Sequence, residues 1–177
     1  MQAPLVMTVI GRDRPGLVEV VARLVAAHGG NWLESRMCRL GGEFAGILRV
    51  QVPADREAAL IAALTNLAAE GLTVVAHRDQ PTVAASGPAA AVIELVGQDR
   101  PGIVREISAE LARHGVNVEE LVTECSSAPM SGEPLFKARA TLGLPAGCDL
   151  AALRTGLEKI AADLLVDVTL EPLSPQS

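Results

Sequence analysis

The hexapeptide GRDRPG at Gly11–Gly16 returns as GQDRPG at Gly97–Gly102, an offset of 86. A motif repeated near half the length of a 177-residue chain means that one small fold must occur twice. The match continues beyond the loop, pairing Leu17 with Ile103, Val18 with Val104, Leu24 with Glu110, His28 with His114, Gly29 with Gly115 and Asn31 with Asn117. After Pro53 and Pro145 the offset becomes 92, because the second copy carries SSAPMSGEP (Ser126–Pro134) where the first has the tight turn RLGGE.

Each copy opens with a β-branched strand, PLVMTVIG and AAVIELVG, ended by glycine. A helix follows, with Leu17, Val20, Val21, Leu24 and Val25 at helical spacing in one copy and Ile103, Ile107 and Leu111 in the other. Gly29 and Gly115 read as helix stops, and Pro15 and Pro101 as first-turn residues. Two hairpins are expected: 31–40 with 43–52, and 117–125 with 135–144. Second helices over 55–70 and 149–163 lead to the final strands LTVVAHR and LLVDVTL. The order βαββαβ closes most simply as a four-stranded antiparallel sheet with both helices on one face, so the fold class is α+β, as two ferredoxin-like modules. The expected divisions are 1–80, a connector 81–90 rich in small residues and Pro, 91–173, and a tail 174–177.

The glycine loop does not read as a nucleotide loop. A Walker loop needs Lys and Ser or Thr after its second glycine, and Leu17–Val18 and Ile103–Val104 stand there instead. A free helix start still attracts a carboxylate, and Gly16 or Gly102 would let it approach. Asp13 and Asp99, with Asn31 and Asn117, could meet an ammonium, which makes a free amino acid the fitting ligand. The competing reading is structural: Asp as a helix cap and Asn as a turn residue.

Residues 1–78 carry 8 basic and 7 acidic side chains, and 89–177 carry 7 and 13. That acidic balance, with one Trp, two Phe and no Tyr, removes the charge and stacking surfaces of a direct nucleic-acid binder. The three cysteines show no CxxC spacing, His77 has no partner at metal spacing, and no nucleophile sits in an acid–base frame. Neither metal, cofactor nor catalysis is expected. No membrane-spanning run or leader pattern is present, and a cytoplasmic location is expected. His28 and His114 read as helix-end residues, and Glu119, Glu120 and Glu124 as a solvated edge or a contact for a basic partner.

Strand, DRPG, helix, HGxN and strand, in tandem, resemble paired ACT domains, small ferredoxin-like modules that regulate metabolism by binding amino acids. The resemblance covers nearly the whole chain, and its most specific stretch is Ala128–Pro145. It implies ligand sites where the first loop of one module faces the second strand of another. The residues implied are Gly11, Asp13, Arg14, Pro15, Gly16 and Asn31, and Gly97, Asp99, Arg100, Pro101, Gly102 and Asn117. It further implies a non-enzymatic regulator of a transcription factor, with a small amino acid such as glycine as ligand and a homodimer as a possible assembly. A protein-interaction module, or an accessory subunit of a metabolic enzyme, remains the alternative reading. Trp32–Leu33 in the first copy against Val118–Glu119 in the second means that the two sites need not share a ligand.

Overall fold

The computed structural model describes residues 1–79, 89–127 and 132–173. Ala128–Ser131 of the insertion, most of the connector and the tail lie outside them. The chain divides into two compact units, Met1–Pro81 and Thr82–Ser177.

In the first unit β1 (Gln2–Arg12), α1 (Leu17–Ala27), β2 (Asn31–Leu40), β3 (Glu43–Pro53), α2 (Glu57–Thr65) and β4 (Leu72–Arg78) follow in order. The second repeats them as β5 (Ala89–Gln98), α3 (Ile103–Arg113), β6 (Asn117–Ser127), β7 (Pro134–Leu144), α4 (Leu150–Leu164) and β8 (Val166–Leu173). The sheets run β2-β3-β1-β4 and β6-β7-β5-β8, with all pairings antiparallel. This is the expected ferredoxin-like βαββαβ module, twice.

Alternation along β1 explains the packing: Ala3, Leu5, Met7 and Val9 are buried under the helices, while Thr8 and Ile10 face the open side. Leu17, Val21 and Val25 of α1 complete that core, as Ile103, Ile107 and Leu111 of α3 do in the other unit. Both first helices end in a Schellman turn: Gly30 N–H donates to Val25 O at 2.8 Å, and Val116 N–H to Leu111 O at 3.0 Å.

Three local expectations are corrected. Pro15 and Pro101 precede the helices instead of entering their first turn, because Gly16 and Gly102 occupy the N-cap in left-handed geometry. The helix expected over 55–70 changes at Asn66 into a 3₁₀ turn that ends at Gly71, whereas α4 stays α-helical to Leu164. The offset of 92 therefore holds only through β3 and β7. The buried pairs Leu60/Leu64 and Leu153/Leu157 differ by 93, and Leu72 and Val166, both opposite the loop glycine, by 94.

Where α1 carries Leu24, α3 carries Glu110, the one buried charged side chain among the described residues. Its carboxylate accepts from Arg113 Nη2 and, at 3.2 Å, from His114 Nε2. It fits because α4 presents Gly156, where an added Cβ would lie 1.9 Å from Glu110 Oε1.

In the first unit a bidentate pair ties α2 to β4, with Arg78 Nε donating to Glu57 Oε1 at 2.8 Å and Nη2 to Oε2 at 2.7 Å. The Arg78 hydrogen bonds hold the Glu57 carboxyl below its ordinary 4.5. A depressed folded-state pKa gives stability that is present above the unfolded value and lost as pH falls through the folded one. Glu57→Gln should therefore reduce stability at neutral pH, and the difference from wild type should shrink below pH 4.5. Urea midpoints measured from pH 7 to pH 3 check this; a difference that does not change with pH contradicts it.

Candidate functional site

Each glycine loop joins a central strand to the first helix through a Pro–Gly turn. Gly16 has φ 94° and ψ −3°, and Gly102 has φ 100° and ψ −8°, the geometry of the third residue of a type II turn with proline second. The helix then begins with Val20 N–H to Gly16 O at 3.0 Å and Glu106 N–H to Gly102 O at 2.9 Å. No side chain caps either start, so the cap reading of Asp13 and Asp99 does not hold. Uncapped first-turn N–H groups and the positive helix end favour an anion.

The strand glycines act differently from the turn glycines. A Cβ on Gly11 would stand 2.5 Å from Gly71 O, and one on Gly97 would stand 2.7 Å from Leu165 O. A Cβ on Gly16 or Gly102 would meet nothing within 4 Å. The first glycine of each loop is thus explained by packing against β4 or β8, and the second by backbone conformation.

Asp13 N–H donates to Gly42 O at 2.9 Å, and Asp99 N–H to Pro134 O at 3.0 Å, which staples each loop to the neighbouring hairpin. The carboxylates differ: Asp13 pairs with Arg39 at 2.9 Å, while Asp99 has no partner among the described residues. Arg14 Nη2 donates to Glu70 O at 3.1 Å, and Arg100 Nη2 to Gln98 Oε1 at 3.0 Å. In the first unit an open depression lies over the helix start, lined by Asp13, Arg14, Gly16, Val18, Glu19 and Phe44. Sequence reading missed Arg39 and Phe44. Their signal was the hairpin turn at Gly41–Gly42, which returns β2 and β3 to the loop end of the sheet.

Asn31 and Asn117 do not join these loops within their own units. Asn31 pairs with Gln51, which pairs with Pro4, whereas the loop leaves from Arg12 beside Glu43. Asn117 likewise sits beside Gly143, and Gly97 beside Phe136. At about 3.3 Å per residue, each asparagine lies on the order of 25–30 Å from its loop, at the opposite end of the sheet. Both side chains are exposed.

The histidines close helix ends: His28 Nδ1 meets Leu24 O at 2.8 Å, and His114 meets Glu110. No group of three or more His, Cys, Asp or Glu that could hold a metal occurs among the described residues. Among those residues no helix is long and apolar enough to cross a membrane.

Comparison with known proteins finds an ACT domain over residues 3–77 and a second over 91–136. The glycine cleavage system transcriptional repressor of Escherichia coli (strain K12) is 27% identical over 161 residues, which is 90% of this chain and 85% of that one. A solved structure from Galdieria sulphuraria, described as an unknown protein, is 29% identical with a TM-score of 0.83, covering 98% of this chain and 100% of its own. A putative glycine cleavage system transcriptional repressor superposes with a TM-score of 0.71 at 21% identity, covering 98% and 99%.

Proposed function

Because this chain belongs to the ACT-domain family, with one such domain in each half, we propose that it is a non-enzymatic regulator that binds a small amino acid at its Pro–Gly loops. The observation that carries this reading is the duplicated loop itself. In both units it is stapled to a hairpin and ends at an uncapped helix start, which suits an amino-acid carboxylate. In the second unit the unpartnered Asp99 carboxylate stands on the same loop and suits the ammonium. Glycine is the first ligand to test, given the similarity to a glycine cleavage system transcriptional repressor over most of both chains.

Occupancy would act on a protein partner, a transcription factor, through a difference in affinity between two states of the regulator. The acidic balance of the chain supports protein contact over direct contact with DNA. Exposed edge strands β2 and β6 would suit a dimer, and a cytoplasmic location fits the same role.

Calorimetric titration of the full chain with glycine and then serine tests the proposal. Saturable binding is expected, and Asp99→Ala should weaken it by about 1–3 kcal/mol by leaving a charged group unpaired. If neither amino acid binds, the loops are packing turns and the protein-interaction reading takes over. Binding that Asp99→Ala leaves unchanged would move the site away from the second loop.

A further inference from the structure

The two units provide an internal control, since the same scaffold is filled differently in each. On the helix side of the first sheet Trp32 and Met37 from β2 pack onto the core, and Leu48 of β3 is 1% exposed. At the corresponding places the second unit has Val118, Thr123 and Ala140. Ala138 in place of Gly46 returns a single methyl. Leu121, which replaces Ser35 beside Ala140, could have refilled the space but remains 49% exposed.

The result is a crevice between α3 and β6, floored by Ile93, Ile107, Leu111, Ala138 and Ala140. Its one polar lining residue is Ser108. Its inner volume is about 30 Å³, above the roughly 10–15 Å³ that a single water requires. Apart from the Ser108 hydroxyl, the lining offers water no partner, and a space of this kind favours hydrocarbon.

We propose that this crevice is a second ligand site, distinct from the glycine loops, which takes the short branched aliphatic end of a small molecule whose polar end lies at Ser108. The size argues for this class: where Trp32 and Leu48 stand in the sister unit, the inner space of about 30 Å³ matches one or two methyl groups. The chemistry argues likewise, since the floor is wholly hydrocarbon and the single hydroxyl stands among its lining residues. Leu121 and Val118 supply a rim that an aliphatic chain would cover, as they are 49% and 37% exposed.

The probe is 3-methylbutan-1-ol, titrated into the full chain labelled at isoleucine and alanine methyls. Resonances of Ile93, Ile107, Ala138 and Ala140 should shift together and saturate. Ala140→Leu, which restores the filling of the first unit, should weaken the probe at least tenfold. Should that variant fail to fold, as its methyl spectrum would reveal, Val118→Trp provides the other filler and should have the same effect. Shifts that do not saturate, that spread over exposed methyls, or that persist unchanged in the filled variant overturn the proposal. Asp99→Ala should leave the titration unaltered, so the fate of this site is read separately from that of the loops.

Discussion

Alanine at Gly11 or at Gly97 is expected to destabilise its unit by about 3 kcal/mol, at the upper end of the usual cost of overpacking. The magnitude follows from what the new methyl would strike. At Gly11 it is the Gly71 carbonyl oxygen at 2.5 Å with Leu72 Cα at 3.3 Å, and at Gly97 it is Leu165 O and Val166 Cα, both at 2.7 Å. These are backbone atoms at the start of a paired strand, and they cannot move without opening the ladder from β1 to β4 or from β5 to β8. Gly16→Ala and Gly102→Ala strike nothing, and should cost only the roughly 1–2 kcal/mol of left-handed strain. Urea unfolding followed by the fluorescence of Trp32 reads the Gly11 variant, and far-ultraviolet circular dichroism reads the Gly97 variant. A loss below about 1 kcal/mol at Gly11 would mean that the β4 start yields, contrary to the packing argument.

Leu48→Ala should destabilise the first unit by about 3 kcal/mol, within the range for deleting a buried leucine side chain. Leu48 is 1% exposed and stands between Met7 and Ser35 across the sheet, so the residue directly beside it on β2 is too small to fill the gap. The substitution carves in the first unit the space that Ala140 leaves in the second. Its urea midpoint should fall without a change in slope, because the surface exposed on unfolding hardly changes. A loss under 1 kcal/mol would show that Trp32 sinks to close the hole, and Trp32 emission would then shift to the blue.

Much of the fold was legible because its signals were local. Alternation in β1 and β5, helical spacing in α1 and α3, and HGxN at the helix ends each specify one element, and their duplication fixes the order. The second helix was less legible because Leu60, Leu64 and Leu67 fit a continuous helix as well as one that tightens at Asn66. The different numbers of residues that carry each copy to its last strand appear only when Leu72 and Val166 are seen opposite Gly11 and Gly97.

The local structure of the candidate loops was legible only in part. DRPG announced a turn into a helix, but the division between packing glycine and turn glycine depends on where β4 and β8 pass, which no local pattern encodes. Asn31 and Asn117 were grouped with the loops because each opens the strand after the first helix and because the resemblance sets the loop of one module against the second strand of another. Within each unit, that helix carries the chain to the far end of the sheet. The pairing of Asp13 with Arg39 required the hairpin register, in which β2 and β3 meet at the loop end.

The contact between Glu110 and Gly156 bears on a hazard that tandem copies share. Adjacent homologous modules can misassemble by exchanging equivalent segments while both are incompletely folded. In the first unit Leu24 on α1 corresponds to Glu110, and Ala63 on α2, just before buried Leu64, corresponds to Gly156, just before buried Leu157. A hybrid that set α3 against α2 would place the Ala63 methyl where Gly156 leaves room for the Glu110 carboxylate. The opposite hybrid would set Leu24 over a glycine and leave a void. Each helix pair is therefore complementary to its own partner, and the packing of Glu110 against Gly156 disfavours the exchanged pairing of α3 with α2.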